Sequence, residues 1–455
     1  MLQSHVANHA KYGKIYTTAA PGVGRQIHVI EPEILDHVLR VNFWAYEKGP
    51  SARISLEPLV GAGIFSADGE HWKWQRKLAS NIFSVKAFRL YTSEVFCREA
   101  HTAIDYLNKH VDSGKVVDLQ QLFHCFTLDS FGEIAFGQSF GCLKDPEHPT
   151  EFATAFDRLT HLLAGRSVTP LWGIKAWLTG RSKQIAKDSK FVRQFALNMI
   201  YERRNSQASS PAAKHQDPRQ KDLLQLFMDM GDDDDVEEAA KLSDDMLVDS
   251  VLNFLIAGRD TTAQSLAWTF YLMHRTQAGP EIVQKLVKET NDILGGGEPT
   301  YESTKKQKYA EACFYEALRL YPSVARNSKV CVEDDVLPGG LKVYKGERVA
   351  WSSYTMGRST HIWGPDANEY KPERWMKGDK PSSTKFIAFH SGPRTCLGQQ
   401  FATIEAITIM SMLIQHFTFE LVDPDHDPAY LPSLTLPIDG GLPVRVKRRE
   451  NTLAA

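Results

Sequence analysis

The sequence has no CxxC pair, no Cys/His ligand spacing and no excess of positive charge, and each absence removes a class of function. Its six cysteines, Cys97, Cys125, Cys142, Cys313, Cys331 and Cys396, are scattered, so neither a zinc site nor a disulfide framework is suggested and a reducing compartment fits. Lys and Arg number 53 against 55 Asp and Glu, a formal net charge of -2, which leaves no electrostatic footprint for nucleic acid. The longest apolar window, 406–414, is far short of the about 18 residues that would span a bilayer, and MLQSHVANHAKYG lacks the basic and apolar regions of a signal peptide. Self-similarity at a fixed period is absent, which excludes a solenoid or propeller. No GxGxxG follows a strand-like run, so no domain for a nicotinamide or flavin is expected.

What is there has the composition of a folded globular body, with 42% hydrophobic and 24% charged residues. The 455 residues are expected to form one large domain, 1–455, although a rule of about 150 residues per domain would suggest roughly three. Most of the length reads as helix. The segment 243–274 begins with Ser243 as N-cap and Asp244 and Asp245 in the first turn, then stays apolar, which predicts one helix about 45 Å long through the middle of the domain. Strand-like runs are few: 26–30, 342–354 and 443–447. The expected fold class is mainly α (α+β), helices dominating the middle and a small sheet built from distant segments. The Ser/Ala/Pro/Gln-rich run 205–220 and the acidic run 231–235 read as solvated loops.

The strongest signal is FIAFHSGPRTCLGQQFA. Phe389, Gly392, Arg394, Cys396 and Gly398 stand at the spacing FxxGxRxCxG ahead of a helix-like run. Five fixed residues at about one chance in twenty each make an accidental match over this length rarer than roughly one in a thousand. Cys396 at a helix mouth would meet free N–H groups and a dipole that favour the thiolate, the axial ligand a haem iron needs. Gly392 and Gly398 would let the backbone pass close to a flat macrocycle, Arg394 could pair with a propionate, and Phe389 would shield the sulfur. A lone cysteine is ordinarily an inert buried hydrophobe, and the surrounding residues reverse that reading.

At this point the sequence resembles the cytochrome P-450 superfamily of haem-thiolate monooxygenases, over about residues 12–448. The resemblance implies a helical bundle around haem b, O2 as co-substrate and electrons from NADPH delivered by a separate NADPH-cytochrome P-450 reductase, with cytochrome b5 as a second donor. Ala257-Gly258-Arg259-Asp260-Thr261-Thr262 combines a mid-helix Gly with a Thr able to bond back to the carbonyl of Ala257. Alone this is a helix kink. Beside the cysteine loop it resembles the family's acid-alcohol pair, Asp260 relaying protons and Thr261 donating to bound O2. Glu316 and Arg319 in YEALRLYP, with Arg374 in YKPERW, would ordinarily be surface ions; they resemble the family's buried Glu-Arg-Arg network and are assigned to architecture. Trp72 and Arg76, one turn apart, correspond to propionate partners, as does Arg326.

AGRDTTA and GPRTCLGQQFA are similar to the branch that hydroxylates fatty acids and alkanes, and Arg166, Pro170, Trp172 and Trp177 fall where that branch has an Arg-aromatic-Pro-Trp stretch. Substrate contact is expected from 51–66, 159–177, 254–261, 324–325 and 432–436, mostly apolar segments. The alternatives are oxidation of an aromatic or terpenoid secondary metabolite and a haem-thiolate isomerase or dehydratase, which has no need of Asp260 and Thr261. By resemblance the protein belongs on the cytosolic face of the endoplasmic reticulum membrane as a monomer, although this chain starts after the family's membrane helix and carries no transmembrane segment of its own.

Overall fold

The alternation at 26–30 becomes the second strand of a five-stranded sheet whose order is β1-β2-β8-β5-β3, from β1 (Ile15–Ala20), β2 (Gly24–Val29), β3 (Tyr46–Glu47), β5 (Asn327–Cys331) and β8 (Arg348–Trp351). The computed structural model describes residues 1–20, 24–83, 86–111, 113–167, 172–209, 222–231, 243–275 and 277–450. Within the sheet, β2 runs parallel to β8, with Ile27 opposite Val349, and the other pairings are antiparallel. The expected run 443–447 lies in β10 (Pro443–Arg448), which sits between β4 (Val116–Asp118) and β9 (Phe417–Leu421). The run 342–354 is not one strand. It divides into β7 (Lys342–Val343), paired with β6 (Asp335–Val336), and β8, because Gly346 takes φ 89 in a turn between them. Ser352 Oγ then accepts the N–H of Thr355 and starts a short helix that takes up Tyr354.

The helices that position the site are α1 (Pro50–Val60), α2 (Gly69–Phe83), α3 (Leu119–Phe136), α4 (Glu151–Ala164), α5 (Trp172–Leu178), α6 (Arg181–Ser209), α7 (Asp244–Gly258), α8 (Asp260–Arg275), α9 (Lys308–Leu320) and α10 (Gln399–His416). Ser243 caps α7 as its sequence predicts, its Oγ accepting the N–H of Met246 at 3.3 Å. The predicted single helix over 243–274 is interrupted at Arg259, so that α7 and α8 follow one another as two pieces. Leu119, Phe123 and Phe126 of α3, Leu252 and Leu255 of α7, Leu266 and Phe270 of α8, Phe314 of α9 and Ile409 of α10 share one large core, and each such burial contributes about 1.5–3 kcal/mol. A second core, with Ile27, Val29, Leu35, Val349 and Trp351, lies on the five-stranded sheet. Among the described residues no helix is long and apolar enough to cross a membrane.

Candidate active site

Cys396 is fixed by backbone before any side chain acts. Its N–H donates to the carbonyl of Phe389 at 2.8 Å, and Thr395 donates to the carbonyl of Gly392 through both N–H and Oγ1. The Cys396 side chain is accessible although protein surrounds it on almost every side, so it faces an internal cleft. Burial raises its thiol; the N–H of Gly398 and the nearby Arg76 pull the other way. Desolvation thus opposes the thiolate that the N–H of Gly398 and Arg76 favour. Gly392 is required by a contact that the sequence did not mark. It has φ 68, and a Cβ there would stand 1.9 Å from the carbonyl oxygen of Leu39, so the close approach is to backbone. At Gly398 a Cβ would lie 4.0 Å from the sulfur, ordinary contact. Phe389 holds the cysteine through its carbonyl, and its ring packs on Tyr315 and Phe386.

Trp72 and Arg76 of α2 and Arg394 of the loop come together. The Arg394 guanidinium lies 4.4 Å over the Trp72 ring, and its Nη2 donates at 2.8 Å to both the carbonyl of Ala67 and Asp68 Oδ1. Burial lowers Arg394 to about 10, with Asp68 opposing. Its Nε is buried without a partner among the described residues, and the Arg76 guanidinium has none there either. Burial also lowers Arg76, opposed by Cys396. Two arginines with unused donors beside an accessible, enclosed sulfur fit a dianionic macrocycle with a thiolate-bound metal. Bound there, such a group supplies an iron that activates O2. Arg326 does not join this set. Leading into β5, it contacts the Met1 sulfur, and its charge acts on Tyr16, His5 and His28 at the N-terminus.

Asp260 and Thr261 both lie at the helix break. Thr261 Oγ1 donates to the carbonyl of Ala257 at 2.6 Å, the back-bond that spacing predicts. Ala257 and Thr261, one turn apart, are half-exposed between fully buried neighbours, so one face of the break opens on a cleft. Asp260 is buried and pairs with the guanidinium of Arg259 at 3.0 Å. That guanidinium also takes Asp157 of α4 through two bonds, one of them Nη2 to Oδ2 at 3.0 Å. Asp157 keeps 46% of its side chain accessible while Asp260 keeps 3%. One cation thus serves two carboxylates, and the drier one holds its proton longer: desolvation, against the pull of Arg259, pushes Asp260 up to about 7. Sequence spacing offers no sign of Asp157, which lies 102 residues from Arg259.

Glu316 and Arg319 of α9 form a buried bidentate pair at 2.7 and 2.8 Å, both side chains 0% exposed. Arg374 Nε reaches Glu316 Oε1 at 3.3 Å and Arg374 Nη1 reaches Asp366 at 2.9 Å. Three members were not singled out from the sequence: Asp366, Trp375, whose Nε1 donates to Glu316 Oε2, and the N–H of Lys371, which donates to Oε1. Here the surface-ion reading of the spacing fails, because every charge has a partner out of water.

Two of the expected substrate segments meet directly, and two others border α8. Arg166 reaches the carbonyl of Ser55 at 3.5 Å, joining 159–177 to 51–66. The loop 432–436 docks on α8, Gln264 bonding Thr435 and Leu436 and Trp268 donating to the carbonyl of Leu436. Ser323, beside 324–325, donates to the carbonyl of Thr261 at 2.8 Å. Trp172 packs so closely on Gly165 that a Cβ there would stand 2.7 Å from the ring. Trp177 faces outward, 74% exposed, and Pro170 lies outside the described residues.

The helical body with small sheets, a cysteine loop ahead of α10 and a broken helix whose second piece packs on α10 define a haem-thiolate oxidoreductase. The family model described as cytochrome P-450 matches residues 1–442, and the chain belongs to that family. It is 35% identical to a cytochrome P-450 monooxygenase of Mycosarcoma maydis over 98% of this chain and 72% of the relative. With cytochrome P-450 94C1 of Arabidopsis thaliana it shares 33% over 93% of this chain and 86% of the relative. With cytochrome P-450 704B1 of the same plant it shares 36%, again over 93% and 86%. The protein is a monooxygenase that uses haem, O2 and NADPH electrons supplied through a separate redox partner.

Proposed function

We propose that Cys396 ligates the haem iron and that the enzyme hydroxylates a long-chain fatty acid or related alkyl compound at or near the chain end. The observation that carries the ligand assignment is the accessible but enclosed Cys396 sulfur beside the Arg76 guanidinium, which has no partner among the described residues. Trp72, Arg76 and Arg394 hold the carboxylates of the haem, and Ala257 and Gly258 bound the groove above it. Asp260 holds a proton and passes it toward Thr261, whose hydroxyl orients toward O2 once its bond to Ala257 opens. That pair argues against an isomerase or dehydratase, which has no use for proton delivery to O2. The substrate reading is supported by the likeness of AGRDTTA and GPRTCLGQQFA to the fatty-acid and alkane branch and by the apolar side chains of 254–256, Val324, Ala325 and Leu434.

The redox partner is an NADPH-cytochrome P-450 reductase, with cytochrome b5 as a second donor, and the enzyme works as a monomer on the cytosolic face of the endoplasmic reticulum. Exposed Ile174, Trp177 and Leu178 on α5 suit contact with a lipid surface. Titration of the haem spectrum with saturated acids of increasing length tests the substrate. Each added methylene should tighten Kd up to about fourfold until the pocket fills. A flat series, or tighter binding by a compact aromatic or terpenoid molecule, overturns the fatty-acid reading.

A further inference from the structure

One face of α3 lies along the helix break and nowhere enters the chemistry assigned above. Phe131 packs on Gly258, Thr127 Oγ1 donates to the carbonyl of Arg259 at 3.0 Å, and His124 brings Nδ1 to 3.9 Å from Asp260 Oδ1. His124, Thr127 and Phe131 are three and four residues apart, so all three project toward the same stretch. The first two contacts are packing and a helix-end bond. The third has no structural purpose that its geometry satisfies. His124 Nδ1 is buried without a hydrogen-bond partner among the described residues, although 12% of the side chain stays accessible. A polar ring held dry on one nitrogen, with a carboxylate just beyond bonding distance, costs about 1–3 kcal/mol of stability.

We propose that His124 is a positioning residue that relays protons to Asp260. A small rotation of either side chain brings Nδ1–H onto Oδ1 of the Asp260 carboxylate. The Nδ1–H bond breaks as the O–H bond forms, while Nε2 takes a proton from a hydronium or buffer acid at the open edge. The ring changes from one neutral tautomer to the other and never carries net charge in the process. Neutrality suits its surroundings: burial and Arg259 lower His124 to about 3, against Asp157, so an imidazolium would be a poor carrier. The charged groups facing the ring are Arg259 and Asp260 from the helix break and Asp157 from α4. The proposal rests on the Asp260–Thr261 reading and extends the relay by one member that the sequence did not mark.

The test compares His124→Gln with Thr127→Val, Asp260→Asn and the double variant His124→Gln/Asp260→Asn in the haem-loaded enzyme, using the substrate that titrates most tightly. Product formed per NADPH oxidised should fall at least threefold in His124→Gln, with the reduced CO spectrum and substrate Kd unchanged, and fall no further in the double variant than in Asp260→Asn. Thr127→Val should lower Tm and leave that ratio alone, as a packing role for His124 would also do. In the resting enzyme, the infrared carboxylic-acid band that Asp260→Asn removes should shift its pH midpoint in His124→Gln. An unchanged ratio in His124→Gln while Asp260→Asn is impaired overturns the proposal; an unchanged ratio in Asp260→Asn removes the reading beneath it. If neither His124→Gln nor His124→Asn loads haem, the ring is a packing residue and the proposal falls.

Discussion

Gly258 lies against Phe131 so closely that a Cβ on it would stand 2.2 Å from the ring's Cδ2. The break between α7 and α8 is therefore fixed from outside, by α3, and not only by the weak helix propensity of Gly and Thr. Ala is preferred over Gly in a helix by about 1 kcal/mol, yet Gly258→Ala should destabilise the protein by about 1–3 kcal/mol through overpacking. Phe131→Leu in the same chain should recover most of that loss, read as the thermal unfolding midpoint. A Gly258→Ala variant as stable as the parent would remove the steric account.

Local pattern made the helix content, the cap at Ser243, the back-bond of Thr261 and the cysteine loop legible, because each is set by residues within about one turn. Asp157, Trp375 and the contact of Gly392 with Leu39 were not, since they join segments far apart in sequence. The strands β5 and β9 were missed for a related reason. Their residues, NSKVC and FTFEL, are short, and only pairing with β8 and β10 selects them over other conformations. Arg326 shows the converse: a motif fixed its number, and the chain path into β5 took its side chain to the N-terminal residues.

Cys396→His should leave a folded protein whose reduced CO complex lacks the strongly red-shifted Soret band of a thiolate ligand. The change replaces the sulfur but spares the backbone bonds from Cys396 and Thr395 that shape the loop. An unaltered band in the variant would mean that another residue ligates the iron.

Between one guanidinium and two carboxylates, Asp260 is the group that keeps a proton, up to about pH 7. Its raised value gives the sign: below about 7 it is a loaded donor, and as pH rises through that value it empties. Product per NADPH should accordingly fall across that range in the parent enzyme and be low and flat in Asp260→Asn. Thr261→Ala should divert electrons into peroxide at every pH while haem and substrate still bind. A pH profile in Asp260→Asn identical to that of the parent would exclude the carboxyl from proton delivery.

Glu316→Gln keeps the shape of the buried network and removes its anion, leaving Arg319 0% exposed without a counter-charge. Breaking one partner of a buried pair costs about 3–5 kcal/mol. Expression should yield little haem-loaded protein, with a much lower Tm, but molecules that do fold should form product per NADPH as the parent does. A loss of coupling at unchanged Tm would move Glu316 from architecture to chemistry.

We expect the reductase to dock on the face that carries the cysteine loop, where α2 supplies exposed cations. Lys73 and Lys77 flank Arg76, the residue whose charge acts on Cys396. Among the described residues Lys73 pairs with exposed Glu70, at 3.3 Å, an interaction worth little in water. Both side chains are exposed and can meet an acidic partner. Lys73→Glu and Lys77→Glu should each raise the reductase concentration for half-maximal turnover several-fold at low salt, with substrate titrations unchanged. The gap should close as ionic strength rises, because screening removes what the charges contribute: the Debye length drops from about 30 Å at 0.01 M to about 10 Å at 0.1 M. Variants that titrate with reductase like the parent at low salt would place the docking face elsewhere.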